Sequence, residues 1–102
     1  MVGVFNLEFE CDEQKERANL RKHGGSFAHA LTVFRDPLAK TVPDEAHSET
    51  EERWFTIGCT PTGECLVVVH TWTEVAANTA KIRMISARKA THKERKAYEE
   101  GI

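Results

Sequence analysis

Two apolar runs separated by a turn sequence constrain this chain more tightly than anything else in it. Arg53 to Cys59, RWFTIGC, and Leu66 to Trp72, LVVVHTW, are rich in branched and aromatic residues, and TPTG, Thr60 to Gly63, stands between them. Such residues fit a pleated, half-buried surface, while Pro and Gly between them reverse the chain, so the two runs predict a β-hairpin. Leu38 to Val42 and Ile82 to Ser86 read as two further strands. Ahead of them, Asp12 to His23 is built of straight-chain helix formers, opens on a capping aspartate and stops at Gly24-Gly25. Ser26 then caps a second helix with Phe27, Ala30, Leu31 and Phe34 at helical spacing before Asp36-Pro37. THKE, Thr91 to Glu94, is a capping box for a last helix that ends at Gly101. The order predicts an α+β fold, a four-stranded antiparallel sheet with two N-terminal helices on one face and a C-terminal helix.

At 102 residues the chain is expected to form one domain, 1–102, so a single site must serve every purpose. A formal charge of −2 argues against patch-driven nucleic-acid binding but leaves room for a local cluster of cations on phosphate. The three cysteines are an odd count, no leader pattern opens the chain, and no apolar run nears the ~20 residues of a membrane helix. These features predict a cytoplasmic protein, with Cys59 and Cys65 facing each other across the hairpin as free thiols. The five histidines fall at no HxH, HxxxH or CxxC spacing, so neither metal nor cofactor is expected. The acidic run from Asp44 to Glu52 reads as a solvated loop, and Arg88, Lys89, Lys93, Arg95 and Lys96 form the dense basic cluster.

Alternation sorts the strands into two faces. Placing the more apolar set of each under the helices predicts a core of Phe55, Ile57, Val67, Val69, Ile82 and Met84 beneath Phe27, Leu31 and Phe34. The opposite face then collects Glu52, Trp54, His70, Trp72 and Arg83. A carboxylate, an imidazole, a guanidinium and two flat rings are the types that RNA cleavage uses: a base, an acid, a fixed cation for the extra phosphate charge, and stacking surfaces. That chemistry requires no metal. A single histidine on an apolar strand is more commonly a hydrogen-bonded structural residue, so the pattern leaves both readings open.

Three stretches carry a family resemblance: FECDEQKERANLRKHGGSF, DPLAKTVPDEAHSETEERWFTIG and IRMISARKATHKERKAYEE. Together, from Phe9 to Glu100, they resemble the BrnT toxins of bacterial type II toxin–antitoxin systems, most specifically in LRKHG, HSETEER and ISARKA. The resemblance implies a RelE-like ribonuclease fold, RNA cleavage that stops translation, and neutralisation by a small BrnA-like antitoxin that is dimeric and binds DNA. It nominates Glu52, Arg53, His70, Arg83 and His23 for catalysis and Lys22 and Arg88 for holding RNA; the basic cluster adds Lys89 to the second group, and the sheet face adds Trp54 and Trp72 as stacking surfaces. Cys11 departs from the family pattern, which has an aromatic residue after Phe-Glu, and Thr73 to Ala80 reads as a longer, alanine-rich hairpin. The leading expectation is a metal-independent endoribonuclease that does not bind DNA by itself. The alternative is a non-catalytic module that binds a protein through the same sheet face.

Overall fold

A computed structural model gives the fold and describes residues 6–45 and 52–101. In chain order these form β1 (Asn6–Cys11), α1 (Glu13–His23), α2 (Phe27–Ala30) running into a 3-10 turn (Leu31–Arg35), β2 (Lys40–Pro43), β3 (Trp54–Cys59), β4 (Cys65–His70), β5 (Thr73–Ala76), β6 (Thr79–Lys89) and α3 (His92–Glu99). The local signals act as their chemistry dictates. The Asp12 carboxylate accepts the backbone N–H groups of Gln14 and Lys15 at 2.8 and 3.2 Å. Gly24, at φ 78, closes α1 with its N–H on the Leu20 carbonyl. The Ser26 hydroxyl accepts the His29 N–H at 3.1 Å, and Thr91 and Glu94 complete the capping box of α3. None of these helices is long and apolar enough to cross a membrane.

The sheet runs β1-β6-β4-β3-β2, with β5 also on β6. Six strands replace the four expected, and the sheet is mixed, because β1 lies parallel to β6 with Phe9 opposite Ile82. The expected hairpin is present, from Trp54 opposite His70 to Cys59 opposite Cys65. Gly63, at φ 91, supplies the left-handed residue that brings the Thr60 N–H onto the Glu64 carbonyl at 2.8 Å. Cys59 and Cys65 are free thiols whose sulfurs lie 2.8 Å apart. Burial, then the Cys59 contact, pushes the Cys65 thiol up to about 11.

The assignment of faces is the larger correction. The buried core gathers Phe27, Ala30 and Val33 over Leu66, Val68, Ile82, Met84 and Ala87, with Leu31, Phe34 and Trp72 at its margin. Leu66 and Val68 thus lie beneath the helices, while Phe55, Ile57 and Val67 line the side that faces α3. Two causes reverse the count of apolar residues. The 3-10 turn passes so close over Gly58 that a Cβ there would meet the Val33 carbonyl oxygen at 3.0 Å, so the Thr56–Gly58 side of β3 must face the helices. A bulge then breaks the alternation of β6: Val69 pairs with Ser86 but His70 with Met84, which leaves one extra residue between them. Ile82 and Met84 therefore share a face with His70, and Arg83 projects from the other.

Candidate functional site

His70 is 0% exposed, a core residue and not part of an open face as the alternation predicted. Its Nδ1 lies 2.8 Å from the Thr71 carbonyl oxygen, which only accepts, so Nδ1 carries the proton and donates it there. Nε2 is then an acceptor for the Thr56 hydroxyl at 2.6 Å, and Thr56 accepts in turn from Thr41 at 2.8 Å. The edge of the ring pair with Phe34 closes the remaining side at 5.0 Å. Burial holds this imidazole below the ordinary histidine value, and the bond to Thr71 opposes that only in part. A neutral, fully bonded ring without exposed surface offers nothing to an RNA hydroxyl.

At the His70 end of β4, Thr41, Glu52, Trp54, Trp72 and Glu74 line an open cleft of about 540 Å³. It unites three of the expected residues, Glu52, Trp54 and Trp72, and among the described residues its lining carries carboxylates and no cation. The Trp54 Nε1–H is buried without a hydrogen-bond partner among the described residues. Of the acidic run expected to be a solvated loop, Asp44 is buried, and residues 46–51, with most of HSETEER, lie outside the described residues. Arg53, whose carbonyl accepts the Asp44 N–H at 2.7 Å, is not part of this lining.

A second cleft, of about 130 Å³, opens at the other end of β4. His23, His29, Glu64, Arg88 and Lys89 line it around the Gly24–Gly25 turn. His23 is the last residue of α1, where the backbone dipole favours a cation. Asn19 fixes that helix end to the sheet: its Oδ1 accepts the Ala87 N–H at 2.9 Å and its Nδ2 donates to the Gly25 carbonyl at 3.3 Å. The same buried amide therefore sets the distance between the LRKHG segment and Arg88-Lys89. Arg88 donates two hydrogen bonds to Glu94, at 2.7 and 2.9 Å. This fork pulls the Glu94 carboxyl down to about 2 against the opposing effect of burial, and raises Arg88. His29 Nε2 lies 3.1 Å from Glu64 Oε1, a contact across 35 residues of sequence. Lys22 is exposed on α1 one residue before His23 and outside the lining.

The structure thus divides the expected site. His23, Arg88 and Lys89 converge in one cleft, while Glu52, Trp54 and Trp72 converge in another about 20 Å away at the ordinary rise of a strand. His29, Glu64 and Asn19 were not singled out from sequence. His29 sits three residues after a capping serine and Glu64 directly follows the TPTG turn, and only the tertiary fold joins them. Among the described residues no three histidine, cysteine, aspartate or glutamate side chains converge as a metal ion requires. The second cleft instead offers two imidazoles, one with a carboxylate to orient it, beside a lysine and a guanidinium. That set is suited to moving protons at a phosphodiester and to offsetting charge on it.

Comparison with known proteins identifies the family. The chain aligns over 85% of its length with all of the crystal structure of the Brucella abortus ribonuclease toxin, BrnT, at a TM-score of 0.60 and 26% sequence identity. No curated protein sequence matches it. Residues 11–94 match the family described as the ribonuclease toxin, BrnT, of type II toxin–antitoxin systems. That match spans most of the 102 residues, including LRKHG, ISARKA and both clefts, and the chain belongs to the BrnT family of ribonuclease toxins.

Proposed function

We propose that this toxin is a metal-independent endoribonuclease whose chemistry takes place in the cleft between the end of α1 and the end of β6. The observation that carries the reading is the convergence of His23, Arg88 and Lys89 with the His29–Glu64 pair at 3.1 Å. One imidazole takes the proton of a ribose 2′-hydroxyl, whose oxygen attacks the adjacent phosphorus. The other gives its proton to the departing 5′-oxygen, leaving a 2′,3′-cyclic phosphate and a 5′-hydroxyl end. Glu64 orients His29. Lys89 stabilises the extra negative charge of the five-coordinate phosphorus, Arg88, whose fork is held by Glu94, borders the same phosphate, and Lys22 on the rim tracks the next one.

Trp54, Trp72 and Glu52 fit a different part of the same task. Flat rings and carboxylates suit base faces and base amino groups and repel phosphate, so the far cleft holds flanking bases and takes no part in bond breaking. Arg83, on the opposite side of the sheet, and His70, in the core, serve the fold. The reading includes a RelE-like mode of action in the cytoplasm and a dimeric, DNA-binding, BrnA-like antitoxin. With a net charge of −2 the toxin alone neutralises too few phosphates to bind an operator. Purified protein incubated with RNA in EDTA tests it: cleavage persists, its products carry cyclic phosphate, and His23→Ala abolishes them. Activity lost on chelation contradicts the metal-free mechanism. Equal RNA loss with wild type and His23→Ala means the nuclease is a contaminant, and a non-catalytic binding module then replaces this proposal.

A further inference from the structure

The sheet face away from α1 and α2 holds an apolar groove of about 230 Å³ between β2–β4 and α3. Phe55, Ile57 and Val67 form its floor, Val42 its outer edge, and Ala97 and Tyr98 its wall. Helix α3 has no buried residue and is pinned by its contacts: Glu94 to Arg88, and the Tyr98 hydroxyl, which donates to Asp36. Between these pins the helix stands off the sheet and the groove stays open. Lys40, paired with Ile57 on this face, buries its Nζ there without a hydrogen-bond partner among the described residues. Arg88, the other cation of the lining, is already engaged by Glu94. A buried ammonium without an acceptor is unfavourable, and the group that relieves it is an anion arriving with apolar surface.

We infer that this groove is the docking site of the antitoxin, and that it receives an apolar segment carrying one carboxylate. Aliphatic or aromatic side chains cover Phe55, Ile57 and Val67, and an aspartate or glutamate meets Lys40 Nζ. The inference rests on the toxin–antitoxin reading above and assigns that partner a surface and a chemistry. RNA is a poor occupant, since its phosphates cannot leave water for an apolar floor with one cation. The apolar surface continues past the groove to the exposed edge strand β2, where Val42 is 52% and nearby Leu38 69% accessible, so an approaching chain has apolar contact before it reaches Lys40. Arg88 lines both this groove and the cationic cleft. A partner pressed against α3 therefore acts on the catalytic cleft from behind.

Calorimetric titration of the cognate antitoxin into wild-type, Lys40→Met and Lys40→Glu toxin tests this, with melting curves and RNA cleavage measured on each free protein. Methionine keeps the apolar stem and removes the charge, so Lys40→Met melts higher than wild type, cleaves RNA at the wild-type rate and binds antitoxin at least tenfold more weakly. Lys40→Glu binds more weakly still, and both variants arrest growth that the antitoxin no longer rescues. Wild-type affinity in Lys40→Met overturns the docking site and leaves the toxin–antitoxin reading intact. Failure of the antitoxin to bind wild type overturns both, while cleavage by the free protein is judged separately. A free toxin that dimerises in light scattering, and loses the dimer in Lys40→Glu, assigns the groove to a second copy and overturns the inference.

Discussion

The two clefts at the ends of β4 are built from opposite charges on one framework. The cleft under α1 gathers two histidines, a lysine and an arginine with one glutamate, and the cleft lined by Trp54 and Trp72 gathers two glutamates and, among the described residues, no cation. Nucleotide chemistry divides the same way, into a phosphate that requires positive charge and proton carriers, and bases that require flat surfaces and hydrogen bonds. The difference teaches that the motif residues are not gathered in one cluster. LRKHG and ISARKA meet at one end of the strand, while the glutamate and tryptophan of EERW belong to the other.

The largest effect that separates the clefts is on the chemical step. His23→Ala lowers kcat by about 10²–10⁴-fold, the usual contribution of a positioned proton carrier. Trp54→Ala or Trp72→Ala leaves single-turnover chemistry at saturating RNA unchanged and weakens RNA binding by about 1–3 kcal/mol, the ordinary worth of one stacked base. A kcat loss from either tryptophan as large as that from His23 would erase the distinction between the clefts.

A smaller effect concerns what holds the cationic cleft together. Asn19→Ala leaves the buried Ala87 N–H and the Gly25 carbonyl without partners, which costs about 1–3 kcal/mol of stability. Because that amide positions His23 against Lys89, kcat falls as well, in protein that still melts cooperatively. Unchanged kcat would show that the cleft does not depend on this tie.

The smallest effect distinguishes the buried histidine from those of the cationic cleft. Burial depresses the His70 imidazole, so the unfolded chain takes up a proton before the folded one does. The stability held by the neutral ring is complete above about pH 6.5 and is lost as pH falls from there through the lower folded value. The melting temperature of wild type therefore declines over that range, and His70→Gln starts lower but follows a flatter line. An equal slope in the two proteins would remove His70 from the acid response.

What the sequence made legible was local. Asp12, Ser26, Gly24, Gly63 and the Thr91–Glu94 box act within a few residues of themselves, so the helices and the hairpin could be placed from composition and spacing. The alternation of Leu7, Phe9 and Cys11 with Asn6, Glu8 and Glu10 was an available signal for β1, and the polar residues between concealed it. Which sheet face lies under the helices was not legible, because a close approach at Gly58 and a bulge opposite Val69 and His70 decide it. The expected set of Glu52, His70 and Arg83 on one face fails for that reason. Arg88 and Lys89 were recoverable from the family motif, whereas His29 and Glu64 meet only after the hairpin folds back under α2.

The most direct test sets one residue of each cleft against the other: single-turnover cleavage of RNA in EDTA by His29→Ala and by Glu52→Gln. His29 belongs to the cationic cleft and lies outside the three stretches that carry the resemblance, and Glu52 lies within one of them and belongs to the acidic cleft. Chemistry in the cationic cleft predicts that His29→Ala is slowed about 100-fold or more, within the range for a lost proton carrier, while Glu52→Gln stays near the wild-type rate. The reverse pattern, a near-normal His29→Ala beside an inactive Glu52→Gln, would place the chemistry at the tryptophan end of β4 and contradict the account.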